Sequence, residues 1–290
     1  MDAPSVARAL DARPSSFAAG AFGALADAAA APRALAARYL AVRSATLSLC
    51  APLSAEDCAA QSMPDASPAK WHLAHTAWFF ERFVLRPHLR GYREFDPAFD
   101  YLWNSYYEAV GPRHARPARG LLTRPALARV LEYRAHVDGH VLDLLDAPSL
   151  PPALVATLQV GLAHEEQHQE LLVTDVKHLL AANPLEPPYH ARRPAPAGAA
   201  PSLRFAPRAG GLTVLGAEPG DEFCFDNEQP LHRTWLEPHA LANRCVTNAE
   251  FREFVRDGGY RRADLWMSDG WAVVQAQGWQ RPLYWGDDLA

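Results

Sequence analysis

The segment His164-Glu-Glu-Gln-His168 holds the side chains best suited to chemistry in this sequence. Residues four apart on an α-helix lie one turn above each other, so both imidazoles can be directed at one ion. The setting favours a site, because Glu165, Glu166 and Glu170 crowd a stretch that is otherwise flanked by leucine and valine. The pattern therefore predicts two ligands of a divalent metal.

A third ligand has to come from another element, and the segment Trp71-His-Leu-Ala-His75 offers two histidines. His75 shares a helical face with Trp71 and Trp78, so we expect it to point toward the core and to bind the ion. His72 lies about 60° away around the helix and is the alternative. The predicted metal ligands are therefore His75, His164 and His168.

Two other interpretations of the histidine spacing stay open. The spacing recurs in His136-Val-Asp-Gly-His140, where Asp138 and Gly139 indicate a polar helix surface rather than a site. A glutamate directly after the first histidine is also typical of zinc proteases, in which it acts as the general base. Glu165 has that position, so a zinc hydrolase is a rival hypothesis. Imidazole suits Fe(II), Zn(II), Cu(II) and Ni(II) alike, so spacing leaves the metal open.

The elements that must position these histidines are helices. Apolar residues at helical spacing predict four of them, at roughly 33–49, 68–86, 123–145 and 152–180, separated by proline-bearing loops. Ser67 is the expected N-cap of the second helix, with Pro68 at the first helical position. The second and fourth helices carry the histidines, so we expect a bundle with the site inside it.

Composition changes along the chain predict its domain organisation. We expect an Ala-rich N-terminal extension at 1–31, a metal-binding helical bundle at 32–182, a proline-rich linker at 183–208 and part of a loop-rich α+β domain at 209–290. In this last region the sequence predicts one short helix at 249–256, with Thr247 or Asn248 as its cap and Gly258 at its end. We recognise no closing element before the last residue, Ala290, so we expect this domain to be incomplete.

Charge and cysteine content restrict the function classes. The formal net charge is -5 and the pI is near 6.2, so no basic face for nucleic acid is expected. No stretch is long and apolar enough to span a bilayer, so small molecules in the cytoplasm are the expected partners. The cysteines form no CxxC pair, and we expect them to be reduced and buried. They are Cys50, Cys58, Cys224 and Cys245.

Several motifs, in this order, resemble those of the ergothioneine-biosynthesis sulfoxide synthases. They are Ser67-Pro-Ala-Lys-Trp-His-Leu-Ala-His75, Trp78-Phe-Phe-Glu81, Asn104-Ser-Tyr-Tyr107, Arg119-Gly-Leu-Leu-Thr-Arg-Pro125, His164-Glu-Glu-Gln-His-Gln-Glu170, Phe225-Asp-Asn-Glu228, Gly258-Gly-Tyr260 and Pro282-Leu-Tyr-Trp285. The resemblance implies a DinB-like four-helix bundle followed by the start of a domain similar to the formylglycine-generating enzyme, with a C-type-lectin-like fold.

The resemblance also implies an activity. These enzymes use non-haem Fe(II) and dioxygen to join a thiol sulfur to the imidazole C2 of hercynine, N-α-trimethylhistidine, giving a sulfoxide. The thiol is γ-glutamylcysteine or cysteine. Carried over by motif, the iron ligands are His75, His164 and His168, and Gln167 contacts the hercynine imidazole. Arg116 and Arg119 resemble the pair that binds the thiol substrate's carboxylate, and the alternative for both is a solvated loop.

Other roles stay open from sequence. Trp103, Tyr106 and Tyr107 are candidates for faces that hold the trimethylammonium group, or are ordinary core residues. The proton-donating tyrosine of the family comes from a later part of its second domain, so no catalytic residue is assigned here. The alternatives are an ovothiol-type enzyme that uses histidine and cysteine, a zinc hydrolase or thiol transferase, and an inactive metal-binding scaffold.

Overall fold

A computed structural model describes residues 30–105, 111–191, 198, 200–218 and 223–286. Its helices and strands are α1 (Ala30–Cys50), α2 (Ala55–Ala59), α3 (Ala69–Phe80), α4 (Phe99–Trp103), α5 (Leu127–Leu145), α6 (Pro152–Ala182), β1 (Phe205–Arg208), β2 (Gly211–Leu215), β3 (His232–Leu236), β4 (His239–Ala242), α7 (Asn248–Arg256) and α8 (Ser268–Gln277). The described residues form two compact units, one with α1 to α6 and one with β1, β4, α7 and α8. The predicted fold class, a helical bundle followed by an α+β region, is confirmed.

Helix α3 lies at the centre of the bundle. Every one of its residues from Ala69 to Phe80 is buried, and α1, α5 and α6 pack around it. This follows from a sequence with large apolar residues on every side of the helix, which only a fully surrounded helix can bury. A π-helical turn at Glu81–Leu85 and a last turn at Arg86–His88 continue it. Polar residues of α3 must therefore find partners inside the protein.

The start of α3 differs from the prediction. Pro68 has an extended conformation at the cap position, the helix begins at Ala69, and no side chain caps it. Ser67 is not an N-cap, because its hydroxyl accepts a hydrogen bond from the Arg119 guanidinium at 2.8 Å. Its backbone N–H donates to Asp175 Oδ2, also at 2.8 Å. Ser67 thus ties the start of α3 to α6 and to the loop that follows α4.

Helix α6 packs tightly against side chains of α3 at Gly161. A Cβ atom there would lie 2.6 Å from Cε1 of Phe80 and 2.8 Å from Cε1 of Phe79. Both rings are fully buried and cannot move aside without displacing other core residues. The absence of a side chain at Gly161 therefore leaves room for the Phe79 and Phe80 rings between the two helices.

Gly161→Ala is expected to lower the free energy of unfolding by about 1–3 kcal/mol, the usual cost of overpacking a core. Gly139→Ala is the matched control, because this glycine is also inside a helix but nothing lies within 4 Å of its Cβ position. It should raise stability by up to about 1 kcal/mol through helix propensity. Urea denaturation of both variants, followed by tryptophan fluorescence, measures the difference. Equal effects would contradict a tight crossing at Gly161.

The second unit contains a short antiparallel pair in which Phe205 of β1 lies opposite Ala242 of β4. β1 takes up the last four residues of the predicted linker, and Pro207 is tolerated because a two-stranded sheet has only edges. β2 pairs with β3. The predicted helix near 249–256 is confirmed as α7, with Thr247 as its cap. Gly258 follows it in the left-handed conformation, at φ 81°.

The four cysteines are all described and none forms a disulfide. Cys58 is buried and Cys50 and Cys224 are partly buried, but Cys245 is exposed, so the expectation of burial is wrong for this last residue. Cys245 precedes the cap of α7 in the second unit, where most apolar side chains are exposed. Among the described helices, none combines the length and the apolar character that a membrane crossing requires.

Candidate metal centre

The three predicted ligands lie together between α3 and α6. His75 of α3 and His164 and His168 of α6 each place a ring nitrogen within 4.8 Å of the other two, and all three rings are almost completely buried. His72, the alternative ligand, is outside this group. The rival pair on α5 is separate, and His140 Nδ1 there donates to the backbone carbonyl of His136. The structure therefore brings together the predicted set.

The spacing of the nitrogens fits a shared ion. Nε2 of His75 and Nε2 of His164 are 3.2 Å apart. Two imidazole nitrogens that each lie about 2.0–2.1 Å from one ion, at right or tetrahedral angles, are separated by about 2.8–3.4 Å. The donor set is also chemically suitable, because three imidazoles suit a first-row divalent metal.

The ring of His75 is fixed in the orientation that a ligand needs. Its Nδ1 donates to the carbonyl oxygen of Trp103 at 2.6 Å, so Nε2 carries the lone pair of the neutral ring. The ring is stacked between Trp71, with centroids 4.5 Å apart, and Trp78, at 5.5 Å. The Trp103 carbonyl and the two indole rings thus hold the imidazole with its Nε2 turned toward His164.

Burial keeps these histidines neutral. Desolvation lowers the pKa of His164 to about 4 and lowers the pKa values of His75 and His168 well below the ordinary range. Neighbouring histidines lower the pKa values of His75 and His168 further. Neutral imidazole is the form that binds a metal. Nδ1 of His164 is buried without a hydrogen-bond partner among the described residues, and its Nε2 faces Nε2 of His75.

Glu165 is not placed to act as a general base. Its side chain is completely buried, and its two oxygens accept hydrogen bonds from Arg43 at 2.7 Å, from Arg134 at 3.0 Å and from Thr46 at 2.6 Å. Burial alone would raise its pKa, but the two guanidinium groups and Thr46 hold it at about 2. A carboxylate this acidic and this fully bonded is a poor proton acceptor. This geometry does not support the zinc hydrolase hypothesis.

The predicted substrate residues lie in different settings. The Arg119 guanidinium is buried 3.4 Å above the ring centroid of Trp71, which in turn stacks on His75. Arg116 is partly buried and donates to the backbone carbonyl of Asp65. Gln167 is exposed on α6, next to His168. Arg119 is thus linked to the histidines through one aromatic ring, whereas the Arg116 guanidinium is held by a loop.

Trp103 is one of the aromatic residues that the sequence offered for the trimethylammonium group. Trp103 is completely buried and packs edge to face against Phe99. It therefore belongs to the core, and its contribution to the site is the backbone carbonyl that receives the hydrogen bond from His75. Tyr106 and Tyr107 lie outside the described residues.

One partner of the site was missed from the sequence. Asp175 is buried and its Oδ2 lies 3.0 Å from Nε2 of His72, which contacts His168. A signal for it existed, since Asp175 follows His168 by seven residues, two helical turns, and so shares its face. An acidic residue on the same buried face as a predicted ligand indicates a group that orients histidines of the site, here through His72.

Sequence comparison identifies two domains. Residues 38–172 match the DinB superfamily, and residues 207–287 match the sulfatase-modifying factor enzyme 1-like domain. The chain is similar to hercynine oxygenases of Mycolicibacterium thermoresistibile (35% identity over 78% of this chain and 49% of the relative), Mycolicibacterium smegmatis (33%, 79% and 51%) and Mycobacterium tuberculosis (32%, 84% and 55%).

The chain spans about half the length of these relatives. The first match covers most of the helical unit, with all three histidines of the site, and the second runs from the end of β1 past α8. Both parts of the predicted architecture are therefore confirmed. The resemblance to the ergothioneine-biosynthesis sulfoxide synthases is therefore confirmed: the chain combines a DinB-superfamily domain with a sulfatase-modifying factor enzyme 1-like domain and is similar in sequence to hercynine oxygenases.

Proposed function

We propose that this chain carries the metal site of an Fe(II)- and dioxygen-dependent enzyme that joins hercynine to a thiol and forms a sulfoxide. The observation that carries the proposal is the buried group of His75, His164 and His168, in a chain similar to hercynine oxygenases over most of its length. The domain limits 32–182 and 209–290 are part of the proposal. The chain spans about half the relatives' length, so the metal, the substrates and the reaction are all part of the proposal.

The three histidines would hold Fe(II) through neutral nitrogens on one side of the ion. A bound Fe(II) would supply the one-electron chemistry that lets dioxygen react with closed-shell organic molecules. Three protein ligands leave room for other groups at an ion of this kind. The aromatic packing around His75 fixes the ring and excludes water from that side of the site.

The substrate residues would orient the two organic partners. Arg119 presents a planar guanidinium that suits a carboxylate, and its stacking on Trp71 places it one ring away from His75. Arg116 is the second member of the proposed pair. Gln167 is exposed beside His168, where its amide would hydrogen-bond to an imidazole. The thiol would thus be held at its carboxylate end and hercynine at its ring.

The reaction balances without a further reductant. The hydrogens of the thiol S–H and of the imidazole C2–H leave, and a C–S bond forms. One oxygen atom goes to sulfur, and the other leaves as water with the two hydrogens. Dioxygen is reduced, while sulfur and the C2 carbon are oxidised. Uptake of dioxygen and formation of sulfoxide should therefore occur in a one-to-one ratio.

The test is dioxygen uptake by the chain after anaerobic loading with Fe(II), in the presence of hercynine and either γ-glutamylcysteine or cysteine. Mass spectrometry follows the sulfoxide. We expect uptake only when both organic substrates are present, with loss of product in His168→Ala and retention in His140→Ala. Product from histidine and cysteine, but not from hercynine, would instead identify an ovothiol-type enzyme. Iron binding without any product would contradict the activity of this chain and leave the metal site standing.

A further inference from the structure

His72 forms the middle of a buried polar chain that ends at the site. Its Nδ1 lies 2.9 Å from Nδ1 of His168, and its Nε2 lies 3.0 Å from Oδ2 of Asp175. All three side chains are buried. The same carboxylate oxygen accepts the backbone N–H of Ser67 at 2.8 Å, which holds the aspartate in place. These hydrogen bonds therefore join α3, through His72, to two positions on α6.

The hydrogen bonds permit one arrangement of protons. A carboxylate only accepts, so Nε2 of His72 carries a hydrogen and, in a neutral ring, Nδ1 carries the lone pair. That lone pair must accept from His168, so the hydrogen of His168 is on its Nδ1. The lone pair of His168 is then on Nε2. The opposite arrangement would place two lone pairs, of His72 and Asp175, against each other in a buried setting.

We propose that His72 and Asp175 are positioning residues that hold His168 in the form whose Nε2 binds the metal. The proposal rests on the proposed metal site. Trp103 does the same for His75 through its carbonyl oxygen, at 2.6 Å. His164 has no such partner at Nδ1 among the described residues. Two of the three ligands are thus oriented through a hydrogen bond at Nδ1, one to the backbone and one to a histidine–aspartate pair.

Groups that orient a metal ligand in this way change metal affinity by about 10- to 100-fold when they are removed. His72→Phe and Asp175→Ala should each weaken Co(II) binding by about that factor. Because Asp175 acts through His72, the double variant should bind no more weakly than His72→Phe. His72→Gln should restore part of the affinity, since its amide can accept from His168 and donate to Asp175.

The experiment is anaerobic titration of Co(II) against a competing chelator, read from the visible absorption of bound Co(II), with circular dichroism of each metal-free variant. His178→Ala is the matched control, because His178 is one turn beyond Asp175 on α6 and bonds to Ser62 Oγ at 2.7 Å. It should bind Co(II) like the unchanged chain. If His72→Phe does not fold, Asp175→Ala and His72→Gln still provide the comparison.

The outcomes separate this proposal from the proposed function. Failure of the unchanged chain to bind Co(II) would overturn the metal site and the positioning role together. Binding by the unchanged chain and equally by His72→Phe and Asp175→Ala would overturn the positioning role alone. Additive losses in the double variant would show that Asp175 does not act through His72, which also contradicts the proposal.

Discussion

Glu165→Ala is expected to lower the free energy of unfolding by about 3–5 kcal/mol, because it removes the carboxylate that buried Arg134 pairs with and leaves buried Arg43 with Asp138 alone. Arg43 and Arg134 are almost completely buried and both donate to this one side chain. Arg134 also donates to the backbone carbonyl of Leu73 and to Thr76 of α3, so the same cluster ties α6 to α3. Since whole domains are stable by only about 5–15 kcal/mol, the loss should be evident as a much lower urea midpoint.

Glu166→Ala is the matched control for this prediction. Glu166 is the next residue on α6, but its carboxylate is exposed and pairs with Arg38 at 3.4 Å. Exposed pairs of this kind contribute about 0–1 kcal/mol, so the urea midpoint should hardly move. A Glu165→Ala variant as stable as Glu166→Ala would show that the buried cluster does not stabilise the bundle. A stable Glu165→Gln variant that loses hydrolytic activity would revive the rival hypothesis of a zinc hydrolase.

His164→Ala is expected to weaken divalent metal binding by at least about a hundredfold. Four-ligand zinc sites bind with about 10–16 kcal/mol, which corresponds to about 3 kcal/mol for each ligand. His164 is also the ligand whose ring has the fewest other polar interactions, since its Nδ1 has no partner within the described residues. Anaerobic Fe(II) titration with a chelator measures the loss, and dialysis of the unchanged chain against the chelator should remove its metal.

His140→Ala serves as the control, because His136 and His140 have the same spacing on α5 as His164 and His168 on α6. This pair lies outside the three-histidine group, and His140 Nδ1 donates to its own helix backbone. Its removal should leave Fe(II) affinity unchanged. Equal losses in His140→Ala and His164→Ala would mean that the metal binds to scattered histidines, and the candidate site would be wrong.

Local pattern in the sequence determined much of the fold. The long helices have the predicted order and nearly the predicted limits, because an apolar face at 3.6-residue spacing is a local property. The same holds for α7, whose cap at Thr247 needs only the backbone and side chain of Glu250 three residues later. The two candidate elements of the site, WHLAH and HEEQH, were also visible locally, because the spacing of residues in the sequence shows which of them share a helical face.

Tertiary structure alone decided how the two helices meet and which polar groups face the histidines. The sequence predicted His75 rather than His72 as the ligand from its helical face, but only the packing of α3 against α6 brings Nε2 of His75 to 3.2 Å from Nε2 of His164. The partners of Glu165 come from α1, about 120 residues away in sequence, and from α5, 31 residues away. No motif records such contacts, since they depend on burial in three dimensions. The sequence by itself determined which side chains could bind a metal. The packing of the bundle decided how these side chains converge and which of them have a hydrogen-bond partner at their second ring nitrogen, because both depend on contacts between separate helices.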